Sequence, residues 1–223
     1  MRSWRRIARW GAIGLNALLA HVGLKLVHAR ALSAQAIVWP RTPIADDRVA
    51  LRPFITEDVP DLVTACADGD VVFWAGWSTP FPRDEALHWV RGQSARRGAG
   101  EGLDLAIVDL QSGDMAGLIQ LESVDWFNQR ASIGVWLAPH ARGRGLMTHA
   151  LRLFVSWVFS ELKLNRLEYL SLSDNTPALA VAERCGFVRE GTLRGRLARH
   201  GSPRDAVLLS VLRDDWVRQG PVR

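Results

Sequence analysis

The chain has 223 residues, 48% of them hydrophobic, which is enough for one domain with a sizeable core and excludes a disordered protein. Its formal net charge is +5 and Lys25 and Lys163 are its only lysines, so the base is arginine, which suits anionic partners such as phosphates, nucleic acid or acidic lipid. Two cysteines, Cys66 and Cys185, exclude a disulfide framework and a cysteine metal site; no bound metal is expected, and a reducing, cytoplasmic setting fits best.

Residues 1–40 stand apart. No acid precedes Asp46, and Arg2, Arg5, Arg6 and Arg9 crowd the start. Trp4, Ile7, Ala8, Gly11, Leu15, Leu18, Leu19, Val22 and Leu26 follow helical spacing. The apolar run from Trp10 to Leu24 is shorter than the roughly 20 residues that a spanning helix needs. Three readings stay open: an export signal with small residues in "SAQA", a basic helix lying on a membrane surface, and an upstream extension outside the working protein. Pro40 and Pro43 in "VWPRTP" read as a linker, so one folded domain is expected over residues 41–219.

Within that domain "RVALRPFI" reads as a first strand. Thr56 is placed to cap a helix through "EDVPDLVTACA", with Glu57 and Asp58 in the first turn where acids suit the helix dipole. "DGDVVFWAGWSTPFP" is rich in aromatics and prolines and reads as a loop, followed by a helix in "RDEALHWVRGQSARR". "LDLAIVDL" and "MAGLIQLESV" form a hairpin across "QSGD", and "ASIGVWLAP" is the next strand. The long helix "LMTHALRLFVSWVFSEL" puts Leu146, Ala150, Leu153, Phe154, Trp157 and Val158 on one face. A strand "RLEYLSLS", a helix "TPALAVAERC" ended by Gly186, and closing strands "FVREGTLRG" and "DAVLLSVLR" complete a mixed α/β domain. It is antiparallel first, with a strand–helix–strand unit in the middle.

The strand-to-helix junction carries the chemistry. Arg142, Gly143, Arg144 and Gly145 follow Pro139, and a helix begins at Leu146 and runs through Met147 and Thr148. Backbone N–H groups and the positive end of a helix dipole converge there, and glycines let a bulky anion approach. The flanking arginines add charge and the Thr148 hydroxyl another donor, so the natural occupant is a pyrophosphate; a Gly-rich helix start with solvated arginines is the bland alternative. The spacing fits neither a dinucleotide fingerprint nor a Walker loop.

"RGRGLM" resembles the R-x-x-G-x-G/A loop of the GCN5-related N-acetyltransferases (GNAT), and "VWLAP", "LRLFVSWVFSELKLNRLEY" and "DNTPALAVAERCGFVREGTLR" are similar to the later segments of that family, in order. The run from Asn175 to Arg194 looks like the Rim-type enzymes, which acetylate N-termini of ribosomal proteins. The resemblance implies a central, mostly antiparallel twisted sheet with helices on both faces and a strand–helix–strand acetyl-CoA unit. It implies acetyl-CoA as co-substrate, held by the Arg142–Thr148 loop, by Asn175, and by the backbone of Trp136, Leu137 and Ala138. That backbone would pair with the pantetheine arm and offer an oxyanion donor. Met147 stands where the family has Gly or Ala, and is expected to shift the cofactor's fit.

Acetyl transfer by direct attack needs an amine that is positioned and relieved of its proton. Glu122 shares a strand face with Leu118 and Gln120 and is the candidate base; its alternative is a solvated glutamate. The family's usual acid positions hold Ala182, in place of Tyr, and Ala178, in place of Ser, which leaves Thr176 and Ser173 as nearby donors. Tyr169 and Cys185 read as core. In the family, the region after the first helix walls the acceptor site, which here gives Phe73, Trp74, Trp77 and Phe81; these rings can equally belong to the core. Arg194, Arg196, Arg199, His200 and Arg204 mark a basic late loop, and no sequence-specific nucleic-acid module is present.

The expectation is an acetyl-CoA-dependent N-acetyltransferase acting on a protein N-terminal α-amine, with a ribosomal protein as partner. A small-molecule amine acetyltransferase is the alternative in the same class. A non-catalytic acetyl-CoA-binding protein, tethered to a membrane surface through the N-terminal segment, is the rival from another class.

Overall fold

A computed structural model describes residues 35–40, 42–75 and 81–219. Trp77 and the basic segment before Gln35, with its three open readings, lie outside the described residues. Eight strands form one sheet in the order β1-β2-β3-β4-β5-β6-β8-β7. They are β1 (Ile44–Ala45), β2 (Val49–Pro53), β3 (Leu103–Asp109), β4 (Met115–Asp125), β5 (Arg130–Leu137), β6 (Arg166–Leu172), β7 (Val188–Arg199) and β8 (Ser202–Leu212). Every neighbouring pair is antiparallel except β5 and β6, which the crossover helix makes parallel. This is the mixed, mostly antiparallel α/β fold expected from the sequence.

The middle of the sheet is covered on both faces, so β3 is buried along its whole length, while β7 at the edge stays largely exposed. On one face α1 (Val59–Cys66), α2 (Gly69–Ala75) and α3 (Arg83–Gly98) enclose a smaller core through Leu62, Cys66, Val71 and Val90, against Ala106, Leu118 and Trp136 of the sheet. On the other, α4 (Leu146–Trp157) and α5 (Thr176–Arg184) pack Leu151, Phe154, Leu179 and Ala182 on Leu105, Ile119 and Ile133. The alternation of Leu105 with Ala106 and of Ile119 with Leu118 sends successive side chains to opposite cores. Among the described residues no helix is long and apolar enough to cross a membrane.

Four features differ from the sequence reading. Residues 69–75, expected to be loop, form α2, because the Asp68 carboxylate accepts from Val71 N (3.0 Å) and caps a turn that the downstream aromatics and prolines disguise. The late loop is a long hairpin: β7 runs on to Arg199, and His200 (φ +48°) with Gly201 (φ +75°) makes the two-residue turn whose twist matches the strands. A helix α6 (Arg213–Gln219) follows β8. Finally, the packed body reaches back past the expected boundary at residue 40: Ile37 is 1% exposed, donates from N to Arg97 O (3.0 Å) and accepts at O from Arg97 Nη1 (2.9 Å).

Candidate functional site

β5 and β6 pair only from Arg130↔Arg166 to Ile133↔Tyr169, although both strands run on. Beyond Ile133 they part, and a wedge opens in the middle of the sheet. On its other edge β5 keeps β4, with Ala138 N donating to Ala116 O (2.9 Å). Counting back by twos, Trp136 also bonds toward β4, which turns the amides of Val135 and Leu137 into the wedge. An extended amide-bearing chain can pair with such an edge as an added strand.

The glycine loop closes the wide end of this wedge. Gly143 (φ +73°) and Gly145 (φ +79°) sit in the left-handed region, and a side chain added at either would meet nothing within 4 Å. Gly145 is the N-cap of α4, and the first amide to bond within the helix is Thr148 N, to Gly145 O (2.9 Å). The N–H groups of Leu146 and Met147 therefore stand ahead of the helical ladder, on the positive end of its dipole. Open space, free donors and a helix start fit a diphosphate. Met147 is 7% exposed and packs into the main core, so its side chain stays out of the seat and only its amide faces it.

The loop arginines are engaged elsewhere. Arg142 Nη2 lies 2.8 Å from Asp68 Oδ1 and its Nη1 lies 3.3 Å from Asp70 Oδ2, while Nε donates to Leu137 O (3.2 Å). Arg144 pairs with Asp109 (2.6 Å) and donates to Gln111 Oε1 (3.0 Å). Arg48 Nη2 reaches Arg144 O (3.4 Å).

Glu122 lies on the opposite sheet face to α4, in register with Ser132 of β5, one step before the wedge opens. Gln120 Nε2 donates to Glu122 Oε1. Gln120 faces Gly134, where an added Cβ would meet Gln120 Cγ at 2.8 Å, so the glycine makes room for the amide to reach the carboxylate. Next to them Asp104, 4% exposed, accepts at both carboxylate oxygens from Arg96 Nη1 of α3 (2.7 Å each), and Arg96 Nη2 donates to Leu121 O (3.3 Å). Burial raises the Glu122 pKa above the ordinary glutamate value; Arg96 opposes that shift, Asp104 adds to it, and the Gln120 bond opposes it. A carboxylate of raised proton affinity beside the wedge has the character of a general base.

The late helix offers less. Asn175 Oδ1 accepts from Ala178 N (3.3 Å), an N-cap bond that leaves its Nδ2 for other use. Thr176 and Ser173 are exposed at the same helix start. Ala182 is fully buried in the main core, so the position of the usual acid has no room for a ring as the chain stands. Burial pushes the Cys66 thiol up to about 12 and the Cys185 thiol to about 11, which suits packed residues and not nucleophiles. Tyr169 is 5% exposed and meets Phe187 edge-on.

Of the rings expected to wall an acceptor site, Phe73 and Trp74 are half-buried on α2 and contact the hairpin tip: Phe73 stacks on His200 (5.6 Å between ring centres) and Arg199 Nη2 donates to Trp74 O (3.0 Å). Phe81 packs on the smaller core edge-on to Trp89, which also meets Phe54. The structure thus brings together residues that sequence reasoning passed over: Asp68, Asp70, Asp104, Arg96 and Gly134. Asp68-Gly-Asp70 ahead of an apolar run was a legible cap signal; the others depend on strand register, which no local pattern reveals.

Residues 48–188 match the family profile described as "Acetyltransferase (GNAT) domain". The chain is 37% identical over 107 residues to "Putative ribosomal N-acetyltransferase YdaF" of Bacillus subtilis, covering 48% of this chain and 58% of the relative. It is 26% identical over 107 residues to spermidine N(1)-acetyltransferase of Escherichia coli K12, again 48% of this chain and 58% of the relative. A crystal structure of a GCN5-related N-acetyltransferase from Brucella melitensis superposes with a TM-score of 0.69 at 28% identity, covering 83% of this chain and 84% of that one. The chain spans little more than half the length of these two curated relatives.

Proposed function

Because the chain belongs to the GNAT acetyltransferase family, whose members use acetyl-CoA, we propose that it transfers acetyl to the N-terminal α-amine of a polypeptide, with a ribosomal protein as the natural acceptor. The carrying observation is the charge of the acceptor face. Among the described residues, four carboxylates of that side pair with arginines, Asp58 with Arg52, Asp68 and Asp70 with Arg142, and Asp104 with Arg96, while Glu122 is bonded to Gln120. A polyamine needs unmatched negative charge along its length. A single amine at the end of an extended chain needs one base and an aromatic wall, and Glu122, Phe73 and Trp74 meet that need. The likeness to a protein named for ribosomal acetylation supports the same reading.

In this reading the diphosphate lies on the amides of Gly143–Met147 and the pantetheine arm pairs with Val135 and Leu137 in the wedge. Asn175 Nδ2 offers a further donor to the cofactor. Bound there, acetyl-CoA supplies the thioester carbonyl that the amine attacks. Glu122 takes the amine's proton, directly or through a water, as the N–C bond forms and the C–S bond breaks. The N–H groups of β5 receive the charge on the carbonyl oxygen. The departing thiolate needs a proton, and with Ala182 in place of an acid the candidate hydroxyls are Thr176, at the start of the late helix, and Ser173, just before it.

The test is a turnover screen with acetyl-CoA against peptides carrying the first residues of ribosomal proteins, against the same peptides N-terminally blocked, and against spermidine. Acetylation of the free peptides and not of the blocked ones is expected. Turnover of spermidine with none of any peptide would overturn the peptide reading.

A further inference from the structure

Arg142 is the arginine that the loop pattern offers to the cofactor, yet all three of its nitrogens are committed to the protein. Two of them go to Asp68 and Asp70, at the start of α2. Asp68 has a second task there, since its Oδ1 also accepts from Val71 N (3.0 Å) and caps the helix. The far end of α2 is held by the hairpin tip, through Phe73 on His200 and Trp74 O on Arg199. Between these two anchors α2 spans seven residues, of which only Val71 is buried. A helix that short has little stability of its own and depends on what grips its ends.

We propose that Arg142 is a positioning residue that acts away from the cofactor: its guanidinium, shared by Asp68 and Asp70, holds the aromatic wall on α2 against the glycine loop, and the diphosphate is left to the loop's backbone amides. To bind a diphosphate, Arg142 would have to leave two carboxylates and the Leu137 carbonyl. The amides of Leu146 and Met147 give up no bond within the helix. The loop thereby has two sides, one for cofactor and one for acceptor wall, and the distance between the two sites is set by one ion-pair cluster. The inference takes α2 as the acceptor wall, and so builds on the function proposed above.

The test uses the full chain with Arg142→Gln, Arg142→Lys, and the double change Asp68→Asn with Asp70→Asn, in which the side-chain amide oxygen introduced at position 68 still caps the helix. Without any ligand, amide hydrogen exchange across residues 69–75 is expected to rise about three- to tenfold in Arg142→Gln and in the double variant, no further when the two are combined, and less in Arg142→Lys. Calorimetric affinity for coenzyme A is expected to stay within about twofold of wild type in all of them. Unchanged exchange in α2 would overturn the proposal. So would a loss of coenzyme A affinity of about tenfold or more in Arg142→Gln that the double variant does not share. The exchange measurement involves no acceptor, so a failed peptide screen and a failed tether are read separately.

Discussion

At the residue scale the candidate base is defined by its neighbours more than by itself. Glu122 owes its raised proton affinity to burial first, and Asp104 adds to it through space. A base works in its deprotonated form, so activity rises with pH through the folded-state pKa. The acid limb of the kcat/KM profile is therefore expected above the ordinary glutamate range. Asp104→Asn removes a neighbouring negative charge and should move that limb down, while Glu122→Gln should lower kcat about 10²- to 10⁴-fold with coenzyme A affinity kept. A limb that does not move in Asp104→Asn would separate Glu122 from the proton transfer. The phosphate seat gives a second expectation. Gly145 occupies positive φ with open space above it, so Gly145→Glu places a strained side chain and a negative charge in the proposed diphosphate seat. Calorimetry should show coenzyme A binding lost while circular dichroism stays that of the wild type.

At the element scale two contacts decide how the C-terminal half is held. Glu190 on β7 receives Arg166 of β6 (2.6 and 2.7 Å) and Ser210 Oγ of β8 (2.7 Å), which hold its carboxyl down at about 2. A depressed carboxylate adds stability above its unfolded pKa and loses it as pH falls through the folded one, here between about 4.5 and about 2. The pair is partly exposed, so Glu190→Gln should cost about 1 kcal/mol at neutral pH, with the difference from wild type vanishing near the low end of that window. Ala182 on α5 gives the opposite lesson. Restoring the family's acid by Ala182→Tyr would drive a ring into a filled core and should lower Tm by about 5 °C or more, without raising kcat. The same scale shows why some elements were legible and others not. β3 and β4 are largely apolar runs bounded by turn signals, and α4 carries a helical apolar period. α2 is capped by one aspartate and held by contacts from distant strands, and the reach of β7 depends on a two-residue turn inside an arginine-rich stretch that reads as solvated loop.

At the scale of the whole molecule the N-terminal side of the domain is part of its body. Ile37 is buried in the main core and bonded at both backbone groups to Arg97. A chain beginning at Val38 should be less stable than one beginning at Gln35 by about 1.5–3 kcal/mol, visible as a lower urea midpoint. Equal midpoints would make the Ile37 contact dispensable.

From its sequence alone, this chain declares a mixed α/β domain and a glycine loop opening a helix. It also declares the run of residues 175–194 that ties it to an acetyltransferase family, because hydrophobic period, capping chemistry and glycine spacing are local properties. The tertiary structure decided the rest. The wedge between β5 and β6 exists because their pairing stops at Ile133, and strand pairing is a relation between residues far apart in the chain. The partners of Arg142 and Arg144 likewise come from the start of α2 and from β3, and the charges that face Glu122, Asp104 and Arg96, come from β3 and α3. Which charges meet is a matter of register and crossover, and that is where an arginine that reads as a phosphate ligand turns out to hold two aspartates.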